Sequence, residues 1–222
     1  MSTLRPELTP MPHRIASLPI DERGYPIPFF VDYVDGKPEF RAMDRAKWQQ
    51  SAFEDRCWVC GQKRGSFKSF VLGPMCTISR STAEPPCHLD CAEWSAINCP
   101  FLARPHMVRR DHDALAQQLK GNAPGIMIDR NPGVTAVWTT KTFTIWRAPN
   151  GPMITVGPPE AVRWFAGGRV ATRAEVVASI DSGLPFLIEQ QQQQDATEGR
   201  HGMKALLLAV ENAKQHLPAV FA

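Results

Sequence analysis

Cys57-Trp58-Val59-Cys60-Gly61 and Cys87-His88-Leu89-Asp90-Cys91 close the two ends of the stretch on which the reading of this chain turns. All six cysteines of the 222 residues fall between Cys57 and Cys99. Two thiolates of a CxxC turn can grip one tetrahedral ion from a single tight loop. Residues three or four apart at the start of a helix share a face and can close the other side. The spacing therefore predicts a metal site, with Zn2+ held by Cys57, Cys60 and Cys91 and by either His88 or Cys87. With four protein donors the ion would be structural.

Composition bounds the rest. A chain of 222 residues buries a sizeable core without help, so only part of it needs a metal. Hydrophobic content of 43% with 21% charged residues is ordinary for a globular protein, whereas 20 prolines imply many turns and short elements. A net charge of +3 is too small to imply an anionic partner. The segment Met1 to Asp21 lacks the apolar run of a secretory signal, and no stretch reaches 18 apolar residues. A cytoplasmic location with no membrane span follows as the expectation. There the cysteines would be thiols and ligands in preference to a disulfide framework, the competing reading.

Working outward toward the N-terminus, Ile27 to Val34 alternates into Asp35-Gly36, a dipeptide suited to a tight hairpin turn. Pro38 confines the second arm to an edge. Asp44 is placed to cap a helix over 45–56, with Trp48, Ala52 and Phe53 as its apolar side. Between the two cysteine groups, Ser69 to Val71 and Met75 to Ile78 flank Gly73-Pro74 as a short hairpin. After Pro85-Pro86 a helix is expected over 87–98, stopped by Pro100.

A cysteine turn, a hairpin and a helix whose first turn carries ligands resemble the treble-clef class of zinc fingers over residues 57–99. HxxC at the helix start is frequent in that class, so the resemblance implies His88 as fourth ligand. The whole chain also resembles uncharacterised proteins of bacterial and phage genomes, a likeness that carries no function. Cys76 and Cys99 are left over and read as small buried residues. Trp58 and Trp94 are expected to shield the metal from water.

Beyond the finger, Arg104, Arg109 and Arg110 cluster in a linker and would contact an anion or nucleic acid beside a helix start. Asp111 or Asp113 can cap a short helix with Leu115 and Leu119 on one side, closed by Gly121. Ile126 to Asp129, Val134 to Trp138, Phe143 to Arg147 and Met153 to Val156 read as an antiparallel meander of three or four strands. Pro158-Pro159 opens a predicted helix to Ala166. Thr172-Arg173-Ala174-Glu175 is a capping box for a helix ending at Gly183. A further helix runs from Leu184 into the solvated tract Gln190 to Gln194. A last helix from Met203 to His216 docks through Leu206, Val210, Ala213 and Leu217.

The sequence thus predicts an α+β fold in three parts: 1–56 with an extended lead-in, hairpin and helix, the zinc finger at 57–103, and the meander with helices at 104–222. It contains no GxxxxGK[ST], GxGxxG, HExxH or GxSxG motif. No histidine lies between Cys57 and Cys87, which removes the water-activating residue of treble-clef-like nucleases. No glutamate follows a histidine by two, as base deaminases require. The functional expectation is a non-enzymatic module binding protein or nucleic acid. The alternative is an enzyme with a site between finger and meander near Trp138, Trp146 or Arg130, or a nucleophilic Cys76 or Cys99 served by His106 or His112.

Overall fold

A computed structural model describes residues 4–103, 132–198 and 202–219. Among these residues the chain forms seven helices and nine strands, paired antiparallel throughout. The expected helix at 111–121, the strand at 126–129 and the side chains of Arg104, His106, Arg109, Arg110, His112 and Arg130 lie outside the described residues. None of the described helices is long and apolar enough to cross a membrane.

After α1 (His13–Ala16), β1 (Val31–Val34) and β2 (Lys37–Met43) form the first hairpin. Its turn uses Asp35 and Gly36 at φ 50° and 75°, the left-handed torsions a tight two-residue turn demands. α2 (Arg45–Phe53) begins on Asp44, whose carboxylate accepts from the backbone N–H of Ala46 and Lys47. It ends earlier than expected because Asp55 turns left-handed at φ 58°. Trp48 and Ala52 are buried, but Phe53 is 68% exposed, so the inward stripe is narrower than the sequence implied.

The expected hairpin across Gly73-Pro74 is absent. β3 (Lys68–Leu72) runs into α3 (Pro74–Ser79), with Pro74 at the first helical position, where its missing N–H costs nothing. β3 instead pairs with β5 (Thr135–Thr140), register Phe70 to Trp138. β4 (Ser81–Thr82), β6 (Phe143–Ala148), β7 (Gly151–Val156), β8 (Ala161–Ala166) and β9 (Arg169–Val170) complete the strands. They build a four-stranded sheet, β3-β5-β8-β9, and a three-stranded sheet, β4-β7-β6. The meander is thus divided between two sheets.

The segment after Pro158-Pro159 is a strand, not the expected helix. β8 supplies the second neighbour that β5 needs for its backbone groups, and Val162, Trp164 and Phe165 suit a packed sheet. Gly167-Gly168 at φ 56° and 77° turns β8 into β9 instead of ending a helix.

Alternation gives the large sheet two faces. Toward one side lie Phe70, Ala136, Trp138 and Trp164; the Trp164 indole donates to the backbone oxygen of His216, and the His216 ring meets Trp138 edge-on at 5.1 Å. Toward the other side α4 (Leu89–Asn98) packs, followed by α5 (Pro100–Ala103), and Arg163 of β8 pairs with Glu93 of α4. Every residue of β5 is buried.

α6 (Arg173–Glu198) starts on the expected capping box: Thr172 N–H donates to Glu175 Oε2 at 2.8 Å and Glu175 N–H to Thr172 Oγ1 at 3.3 Å. It does not stop at Gly183 but continues through it and Pro185 as one helix of 26 residues. Gly183 serves close packing: a Cβ there would come within 2.8 Å of Met75 Cε on α3. α7 (Met203–Lys214) buries Val210 and Ala213, with Leu206 and Leu217 against the core, as its pattern requires. The glutamine tract is not only solvated. Gln191 donates to Asp195, whose carboxylate accepts from the N–H of Gly202 and Met203 at the start of α7.

Candidate metal centre

The centre is assembled from two pieces of chain that the sheet brings together. In the first, Gly61 N–H donates to the Cys57 carbonyl at 2.8 Å, and Cys57 N–H to the Gln62 carbonyl at 2.8 Å. Gly61 adopts φ 72° to make that turn, and its bare Cα faces the Phe29 ring, which a Cβ would meet at 2.7 Å. In the second, Ser69 and Cys87 exchange backbone hydrogen bonds of 3.0 and 2.7 Å. That bridge sets the start of α4 beside the cysteine turn, and Trp58 N–H donates to Pro86 O to join the pieces.

The result gathers Sγ of Cys57, Cys60 and Cys91 and a ring nitrogen of His88 within 4.8 Å of one another, a group that could hold a metal ion. Cys60 Sγ lies 3.4 Å and Cys91 Sγ 3.9 Å from His88 Nδ1. A tetrahedral ion about 2.3 Å from sulfur and about 2.0 Å from nitrogen places its donors roughly 3.5 to 3.8 Å apart, so the spacing fits one. The backbone supports Cys57 in particular, whose sulfur accepts from the N–H of Cys60 at 3.5 Å and of His88 at 3.4 Å. His88 Nε2 faces the carbonyl of Lys63 at 3.1 Å.

The electrostatics are those of crowded sulfurs. Burial pushes the Cys57 thiol up, but hydrogen bonds from Cys60, Cys87, Cys91 and His88 outweigh it and hold Cys57 well below its ordinary value. Beside that charge Cys60 is pushed up to about 11, first by its hydrogen bond to Cys57. Cys91 is raised by Cys57, Cys60 and burial, and Cys87 by Cys57 and burial. His88 is raised by its contact with Cys57. Charge on Cys57 opposes ionisation of the sulfurs around it. A cation among them lets the ligating thiols ionise together.

Cys87 is buried against Cys57 but is not one of the four gathered donors. Trp58 is buried and stacks on Phe30 at 4.9 Å, while the Trp94 indole donates to Thr9 O and anchors the N-terminal segment. Cys76 sits half-buried in α3, its thiol pushed up to about 11 by burial, and Cys99 ends α4; no two of the six cysteines are joined in a disulfide.

Of the residues named for an enzyme site between finger and meander, Trp138 and Trp146 fall among the described residues. Trp138 is buried with its indole on Gly157 O, whereas Trp146 is 45% exposed on β6. A shallow depression beside the centre is lined by Arg14, Ser66, Phe67, His88, Leu89 and Glu93, among others. The sequence reading did not anticipate it, and only the exposed apolar Phe67 and Leu89 could have hinted at it. Comparison with protein-family models, with curated proteins and with solved structures gives no match.

Proposed function

We propose that Cys57, Cys60, His88 and Cys91 hold one structural Zn2+ in a treble-clef-like finger, and that the protein is a non-enzymatic binding module shaped by that finger. The observation that carries this reading is the convergence of four soft and borderline donors within 4.8 Å of one another. Three sulfurs and an imidazole suit zinc, and four protein donors fill a tetrahedron without leaving a position for water or substrate. The treble-clef layout draws support from the glycine-closed turn of Cys57 to Gly61 and from the Ser69–Cys87 bridge, which runs the chain antiparallel to β3 before α4.

Protein or nucleic acid is the partner class. The depression flanked by the exposed side chains of Phe67 and Leu89 offers a surface next to the finger. The test has two stages. Elemental analysis of purified protein should give one zinc per chain, and a chain without zinc would refute the centre. Binding to nucleic acid is then followed against salt: a steep fall in affinity marks phosphate contacts, and no binding at low salt leaves protein as the partner.

A further inference from the structure

Arg64 lies directly behind the cysteine turn, one residue past the antiparallel bridge between Arg56 and Lys63 that closes it. Its side chain has no solvent exposure. Nε donates to Arg56 O at 3.0 Å and Nη2 to Ser51 O at 2.7 Å, while Nη1 is buried with no hydrogen-bond partner among the described residues. A buried guanidinium needs an opposing charge. The carboxylate paired with it, Asp55 Oδ1 at 3.6 Å, belongs to a side chain 54% exposed and is therefore partly screened by water.

The bonds of Arg64 to Arg56 O and Ser51 O hold the guanidinium against the backbone that leads directly into Cys57. Burial lowers Arg64 from its ordinary value, opposed first by Asp55 and then by the cysteine sulfurs. A divalent ion with three thiolates and a neutral imidazole carries a net charge of −1. Buried Arg64 carries +1, and the two are of opposite sign in one water-poor region.

We infer that Arg64 is the counter-charge of the metal centre, a positioning residue whose fully buried guanidinium offsets the negative charge of the Cys57, Cys60, His88 and Cys91 cluster. The inference rests on the proposed centre. Arg64 touches no ion. It acts by making three ionised thiolates less costly in one buried place, and the centre in turn removes the cost of burying Arg64. Two backbone carbonyls, those of Arg56 and Ser51, hold its fork in place beside the residue that precedes Cys57.

The test uses the full-length chain with zinc, measured by elemental content and by competition with a chromophoric chelator. Zinc content of the parent comes first, since a parent without zinc refutes the centre itself. In a loaded parent, Arg64→Gln, which removes the charge together with the guanidinium fork, should weaken zinc binding by about tenfold to a hundredfold, the range for outer-shell partners. Arg64→Lys should stay within about threefold of the parent. Unchanged affinity in Arg64→Gln overturns the inference while leaving the centre intact. An Arg64→Lys as weak as Arg64→Gln also overturns it, because the hydrogen bonds and not the charge would then matter. Should Arg64→Gln prove insoluble, loaded Asp55→Asn decides: melting like the parent places the counter-charge in the centre, and a marked drop in melting assigns it to Asp55 and overturns the inference.

Discussion

His88 Nε2 lies 3.1 Å from the backbone oxygen of Lys63, and this contact fixes which ring nitrogen meets the sulfurs. A carbonyl only accepts, so Nε2 carries the proton and Nδ1 presents its lone pair toward Cys60 and Cys91. Lys63 belongs to the chain leaving the cysteine turn, so one element orients the donor contributed by the other. His88→Ala should lower zinc affinity by at least about a hundredfold. His88→Cys, which restores a soft donor, should recover most of it. Chelator competition reads both. Parent-like affinity in His88→Ala would exclude the histidine from the ligand set.

Removing the metal should unfold the finger. Structural zinc contributes on the order of 10 to 16 kcal/mol in small fingers, as much as the net stability of whole domains, about 5 to 15 kcal/mol. Cys57→Ser and Cys91→Ser should therefore yield insoluble or protease-sensitive protein, with cleavage concentrated in residues 57–99. Cys99→Ser, outside the gathered donors, should cost about 1 kcal/mol. Limited proteolysis with and without a chelator checks all three. Full zinc content and parent-like melting in the first two variants would contradict the ligand assignment.

What the sequence made legible is what neighbouring residues settle among themselves. The Asp35-Gly36 turn, the Asp44 cap, the Thr172–Glu175 capping box and the stripe of α7 are completed by partners a few residues away. The donor cluster was legible for the same reason, since each half is a three-residue spacing with its own local geometry. What escaped depends on distant partners. Ser69 Oγ meets Thr139 Oγ1 across 70 positions, and nothing near Gly73-Pro74 reports that β3 will pair there instead of folding back. β8 is a strand because β5 has an open side, a tertiary demand that overrides the helix-start signal of Pro158-Pro159. Gly183 reads as a stop signal until Met75 is placed against it.

Acid should weaken the packing of the C-terminal segment. Burial holds His216 below its ordinary value, with the positive charge of Arg80 adding to the effect. The unfolded chain therefore takes up a proton near pH 6.5 that the folded chain resists. The stability from neutral His216 is fully present above pH 6.5 and is lost as the pH falls below it. His216→Gln should flatten this part of the profile while the acid response of the sulfur cluster remains. Melting temperatures of both proteins between pH 8 and pH 5 separate the two contributions. Parallel profiles would mean that His216 is not held neutral by its packing under Trp138.

Gly183→Ala sets two effects against each other. In an exposed helix interior the exchange would stabilise by about 1 kcal/mol, because alanine is the better helix former. Here the added carbon would fall 2.8 Å from Met75 Cε and 2.9 Å from its sulfur. Gly183 is buried, and overpacking a closed contact costs typically about 1 to 3 kcal/mol, so packing should win and melting should fall. Methionine is flexible enough to yield in part, which puts the expected cost near the lower end. Met75→Ala alone leaves a cavity and should also destabilise. The double variant should regain part of the loss, because the alanine methyl then occupies space the methionine has left. A double-mutant cycle of denaturant midpoints measures that coupling. If Gly183→Ala were stabilising, α3 and α6 would not be in the close contact that lets one helix run unbroken past Gly183.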